Sequence, residues 1–124
     1  MPRRPSSMLT EAELRIMAVL WQRGRATVRE VLEDLEEPLA YNTVLTILRI
    51  LERKGYVRHK QRGRAFVYFP IVQPAQVRRR VLQYVLSRFF ENSPELLLAN
   101  LLQHEQISPE TWQRLKHLLE SIEE

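Results

Sequence analysis

Apolar residues recur at helical spacing over most of this chain, and one internal stretch changes period. In the segment MLTEAELRIMAVLWQ, residues 8–22, Leu14, Met17, Ala18, Leu20 and Trp21 make a broad apolar stripe. Thr10 with Glu13 three residues later forms a capping box at its start, and Gly24 stops it. Thr27 and Glu30 repeat the signal. Val28, Val31, Leu32 and Leu35 then give a second helix of about ten residues, closed by Pro38. A third helix starts between Ala40 and Asn42, with Val44, Ile47, Leu48 and Leu51 on its apolar face. It ends in cations at Lys54-Gly55, where glycine can take the left-handed conformation.

After Gly55 two β-compatible runs follow, from Tyr56 to Arg62 and from Arg64 to Phe69, around an Arg-Gly-Arg turn. Three helices and a hairpin in this order predict a winged helix-turn-helix. Beyond Pro74, Val77, Val81, Leu82, Val85, Leu86 and Phe89 mark a helix of about 16 residues. Ser93-Pro94-Glu95 and Ser108-Pro109-Glu110 open two more. The predicted class is therefore mainly α with a small β-hairpin. A basic flexible arm (1–8) precedes a winged-helix DNA-binding domain (9–72), and a three-helix dimerisation domain (73–124) follows.

The polar positions give this fold its chemistry. The outer face of the third helix carries Tyr41, Asn42, Thr43 and Thr46, then Arg49 and Arg53. Short hydrogen-bonding groups followed by guanidinium groups suit a major groove, where the first approach base edges and the second reach guanine or phosphate. Taken alone, the same face fits an ordinary solvated helix. The hairpin tip separates the two readings, because Lys60, Arg62 and Arg64 cluster there around Gly63, suited to phosphates or a minor groove. Charge agrees: residues 1–72 hold 13 Lys/Arg against 8 Asp/Glu, and residues 73–124 hold 6 against 7. In the back half, Val81, Val85, Phe89, Leu97, Leu98, Leu101, Leu102, Trp112, Leu115 and Leu119 are more apolar surface than three short helices can bury. A homodimer is expected to cover it, folding of these helices back onto the winged domain being the alternative, and two recognition helices would match the halves of an inverted repeat in double-stranded DNA.

Other functions find little support. The chain has no cysteine, three scattered histidines and three widely spaced glycines, so no thiolate metal site, metal-spaced histidine pair or phosphate loop is expected. No metal or other cofactor is predicted, and no catalytic residue; the carboxylates from Glu30 to Glu37 read as a charged helix end. His59 is expected to be solvated or to face phosphate, and Trp21 and Trp112 to lie in the core. No apolar run approaches the ~18 residues of a membrane span, and MPRRPSS does not read as a signal peptide, so a cytoplasmic protein without membrane insertion is expected. A protein-interaction module and a nonspecific, chromatin-type DNA binder stay open as alternatives.

Three stretches carry a resemblance: LTEAELRIMAVLW, AYNTVLTILRILERKGYVRHKQRGRAFVYFP and LLLANLLQHEQISPETWQRLKHLL. Together they resemble the penicillinase-repressor (BlaI/MecI/CopY) family of bacterial regulators, from about Leu9 to Leu119. The resemblance implies a homodimeric winged-helix repressor on an inverted-repeat operator, typically of TACA/TGTA type. It places Thr43 and Thr46, with Tyr41 and Asn42, toward the groove, and Arg62 and Arg64 on the DNA backbone. In the β-lactam-responsive members a membrane sensor protease signals and the repressor is cut after an asparagine of the dimerisation segment. Asn100-Leu101 occupies that place here, with leucine where the best-known members have an aromatic residue. The copper-responsive branch carries C-terminal cysteines that this chain lacks.

Overall fold

In the computed structural model, which describes residues 8–104 and 106–123, both capping boxes form. The Thr10 amide donates to Glu13 Oε1 at 2.7 Å and the Glu13 amide to Thr10 Oγ1 at 3.2 Å, opening α1 (Glu11–Arg23). Thr27 and Glu30 do the same for α2 (Val28–Asp34), at 2.9 and 3.2 Å. The arm expected over 1–8 lies, apart from Met8, outside the described residues.

The remaining elements follow the predicted order: α3 (Tyr41–Lys54), β2 (Val57–Arg62), β3 (Ala65–Pro70), α4 (Pro74–Phe89), α5 (Pro94–His104) and α6 (Pro109–Glu123). A two-residue strand β1 (Ala26–Thr27), which the hydrophobic pattern does not announce, pairs antiparallel with β3, so the expected hairpin is part of a three-stranded sheet of order β1-β3-β2. The second helix is correspondingly shorter than predicted. Its seven residues end at Asp34, and Leu35 is already extended.

Burial also corrects the first helix. Ile16, Met17, Val19 and Leu20 enter the core, while Leu14 is 41% exposed and Ala18 faces solvent. They meet Val28 and Val31 of α2, Val44, Leu48 and Leu51 of α3, and Tyr56, Val57, Tyr68, Val72 and Val77. Trp21 packs on this core and donates from its indole N–H to the Val72 carbonyl at 2.8 Å.

Two glycines have backbone reasons to be there. Gly55 ends α3 at φ 85°, ψ 23°, and lets the Tyr56 amide reach back to the Leu51 carbonyl at 2.9 Å, aiming the chain into β2. Gly63 stands at φ 63° in the two-residue Gly63-Arg64 turn between the paired Arg62 and Ala65, the glycine-first arrangement of a type II′ hairpin. Around it a side chain would meet no neighbour within 4 Å, so the turn, and not crowding, selects glycine.

Contacts divide the chain into two units, Met1–Val81 and Leu82–Glu124. In the second unit α5 buries no residue fully. Trp112, expected in a core, is 43% exposed. Among the described residues no helix is long and apolar enough to cross a membrane.

Candidate nucleic-acid interface

The apolar face of α3 is fixed by Val44, Leu48 and Leu51, so its opposite face must be open, and Tyr41, Asn42, Thr43, Thr46, Arg49 and Arg53 are all exposed. Its N-cap, Ala40, offers no side-chain acceptor to the first-turn amides. Thr46 spends its hydroxyl proton on the Asn42 carbonyl at 2.8 Å. Its oxygen therefore meets an incoming group as an acceptor, with the methyl beside it.

The sheet brings part of this set together. A cleft of about 520 Å³ is bounded by Tyr41, Leu45 and Arg49 of α3, Arg64, Ala65 and Phe66 of the hairpin, and Thr27, Val28 and Arg29 at the start of α2. Arg29 is the residue that sequence reasoning passes over. Its only signal is position, two residues after an N-cap threonine. Arg29, Arg49, Arg53 and Arg64 have no ion-pair partner among the described residues, so their charge is available to an anion.

Not every nominated cation joins this cleft. Lys60 and Arg62 line the other side of the hairpin, where the Lys60 ammonium lies 5.8 Å from the Phe69 ring centroid. His59 is solvent-exposed as expected, and it also makes a contact that the sequence does not announce. Its Nδ1 lies 2.6 Å from Glu52 Oε1 of α3, and its ring meets Phe66 edge-on at 5.1 Å, so it links the hairpin to the helix. Behind it, burial pushes the Tyr68 hydroxyl above its usual range, and Glu52 adds to the effect against the opposing charge of Arg49.

The back half presents the nominated apolar residues outward. Val81, Phe89, Leu98, Leu101, Leu102, Trp112, Leu115 and Leu119 are exposed, and Val85 and Leu97 are half-buried. Asn100 sits inside α5, half-buried, with its side-chain amide donating to the Leu96 carbonyl at 2.9 Å.

Known proteins share this architecture. The model of the penicillinase repressor family matches residues 9–121. The penicillinase repressor of Bacillus licheniformis is 29% identical over 114 residues, which span 90% of this chain and 89% of that one. The methicillin resistance regulatory protein MecI of Staphylococcus aureus strain N315 is 19% identical over 113 residues, 90% of this chain and 92% of that protein. Among solved structures, the DNA-binding domain of the repressor BlaI is similar at 29% identity and a TM-score of 0.52. The match covers 60% of this chain and 93% of that domain.

Proposed function

Because the chain belongs to the penicillinase repressor family, we propose that it is a repressor that binds an inverted-repeat operator as a homodimer. The observation that carries this reading is the cluster of unpaired cations and short polar groups on one face, α3 together with Arg29 and Arg64. Residues 9–72 read DNA, and residues 73–124 hold the two copies together through the exposed leucines and Trp112.

Base reading falls to Tyr41, Asn42, Thr43 and Thr46. With its proton committed to Asn42, the Thr46 oxygen accepts from an adenine or cytosine amino group, and its methyl suits a thymine methyl. Arg49, Arg53, Lys60, Arg62 and Arg64 hold phosphates, a contribution that weakens as salt rises. Thr46→Ala is expected to narrow the gap between operator and random DNA roughly tenfold, a typical cost for one lost base contact. Arg62→Ala is expected to weaken both alike. Competition anisotropy distinguishes them, and a loss of discrimination from the Arg62 change alone would reverse the assignment.

Release of repression is assigned to a cut at Asn100-Leu101 following a signal from a membrane sensor protease, in keeping with the resemblance of ELLLANLL. The bond lies inside α5, so cutting it needs that turn unwound and the Asn100–Leu96 contact broken. Mass spectrometry of the chain from cells given a β-lactam should find a fragment ending at Asn100; an intact chain throughout derepression would refute this route.

The experiment for the reading as a whole is fluorescence anisotropy of the purified protein on the DNA upstream of its own gene, against a scrambled duplex at near-physiological salt. Two chains per repeat and a preference of at least ~10³-fold are expected. Equal binding to both would reduce the protein to a nonspecific binder. Binding to neither would favour an interaction module.

A further inference from the structure

The three-stranded sheet has two faces, and the recognition cleft occupies one. Phe66, Tyr68 and His59 belong to that inner face. By strand alternation the outer face carries Val67 and Phe69, which pair in register with Lys60 and Arg58, and Ala65, beside the turn and bordering both faces, pairs with Arg62. Thr27 pairs with Val67 at the other edge, and Arg25, just before β1, borders the clefts on that side. Arg25, Arg62 and Val67 line two adjoining open clefts on this face, of about 490 and 380 Å³.

None of Arg25, Arg58, Lys60 and Arg62 has an ion-pair partner among the described residues. The carboxylates nearest in the chain are already engaged: Arg23 binds Glu30 at 2.9 Å and Asp34 at 2.6 Å, with Glu33 at 3.8 Å. The outer face thus carries an apolar strip with Arg25 on one side, beside the Arg23–Glu30 pair that lines the same cleft, and three cations without ion-pair partners on the other. The three recur at every second residue of β2, about 6.6 Å apart at ordinary strand rise. A compact anion calls for cations converging on one point. A regular row calls for a polyanion whose charges repeat at similar intervals, as successive phosphates do along a DNA strand.

We propose that the outer face of this sheet is a second phosphate track, which holds the duplex flanking the operator repeat. The proposal rests on the DNA-binding reading above. With the major groove taken by α3 on the inner side, the phosphates met beyond the wing lie outside the repeat. Arg25 and Arg58 touch only that flank, while Lys60 and Arg62 stand at the crossing.

The test compares two duplexes from the DNA upstream of the gene. One is trimmed to the inverted repeat, and the other carries one further helical turn, about 10 base pairs, of arbitrary sequence at each end. The wild-type chain should bind the longer duplex roughly tenfold more tightly at moderate salt, with a log K against log salt slope steeper by about 2–4, at ~0.9 per phosphate contact. The Arg25→Ala/Arg58→Ala double variant should keep its affinity for the trimmed duplex and lose most of the gain from extension. Equal affinities and slopes for the two duplexes, with specific operator binding intact, would overturn the phosphate track and leave the repressor reading standing. Failure to bind either duplex would overturn both.

Discussion

Replacing Leu98 and Leu101 with glutamate is expected to yield a folded monomer that binds its operator on the order of 10²–10³-fold more weakly. Both side chains project from α5, 55% and 46% exposed, and that helix buries no residue fully within its own chain. Leu97 and Ala99, half-buried, are untouched, so the helical unit keeps its own contacts. Against a second copy, however, each new carboxylate would lose its water without gaining a partner, and unpaired burial of a charge costs several kcal/mol. A single recognition helix then holds half a repeat. Sedimentation should report a 14.8 kDa species, circular dichroism should retain the helix signal, and anisotropy should report the loss. A surviving dimer with unchanged affinity would refute this use of α5.

The second large effect is on stability. Lys54, in the last turn of α3, donates to Glu13 Oε1 at 2.9 Å and to the Met8 carbonyl at 3.0 Å, and both side chains of the ion pair are buried. Glu13→Ala takes the counter-charge from an ammonium that borders an open cleft and keeps only the Met8 carbonyl, a loss of about 1–3 kcal/mol. That is an appreciable part of the 5–15 kcal/mol typical of a whole domain. Urea denaturation measures it; a loss below about 1 kcal/mol would mean that Lys54 finds water or another acceptor. The pair also sets an acid limit. Burial opposes ionisation of Glu13, but Lys54 and the Thr10 contacts outweigh it and hold the carboxyl below its ordinary range. Since the native group is the stronger acid, its contribution is complete above the ordinary glutamate range and drains away as pH falls through the lower native value. Glu13→Gln should flatten that part of the acid-unfolding curve.

The sequence carried local signals well and long-range ones poorly. Thr10 with Glu13, Thr27 with Glu30, and Lys54 before Gly55 are signals complete within one turn of chain, and the helix ends fall where they point. β1 escapes because two residues have no period, and Thr27 already has a role as a cap. The stripe of α1 is misjudged because its apolar residues exceed one face. Only packing against α3 and β3 selects Ile16 and Val19 over Leu14 and Ala18. The Glu13–Lys54 pair joins residues 41 apart in sequence and has no local trace. In the interface, the face of α3 follows from its apolar spacing alone. The sorting of Arg64 to one side of the sheet and Lys60 and Arg62 to the other does not, because a strand with few buried positions hides which side is inner.

The brace formed by His59 between β2 and Glu52 of α3, backed by the third strand, bears on the thermodynamics of association. A wing on a loose hinge would surrender conformational freedom each time it docked, and that loss would be subtracted from every contact it makes. Here the His59–Glu52 contact ties the hairpin to α3, and β1 pairs with β3 at its other side. On the DNA-binding reading, a hairpin so tied is expected to lose little freedom on docking, and the heat capacity change on binding should reflect surface burial without a folding component from the wing.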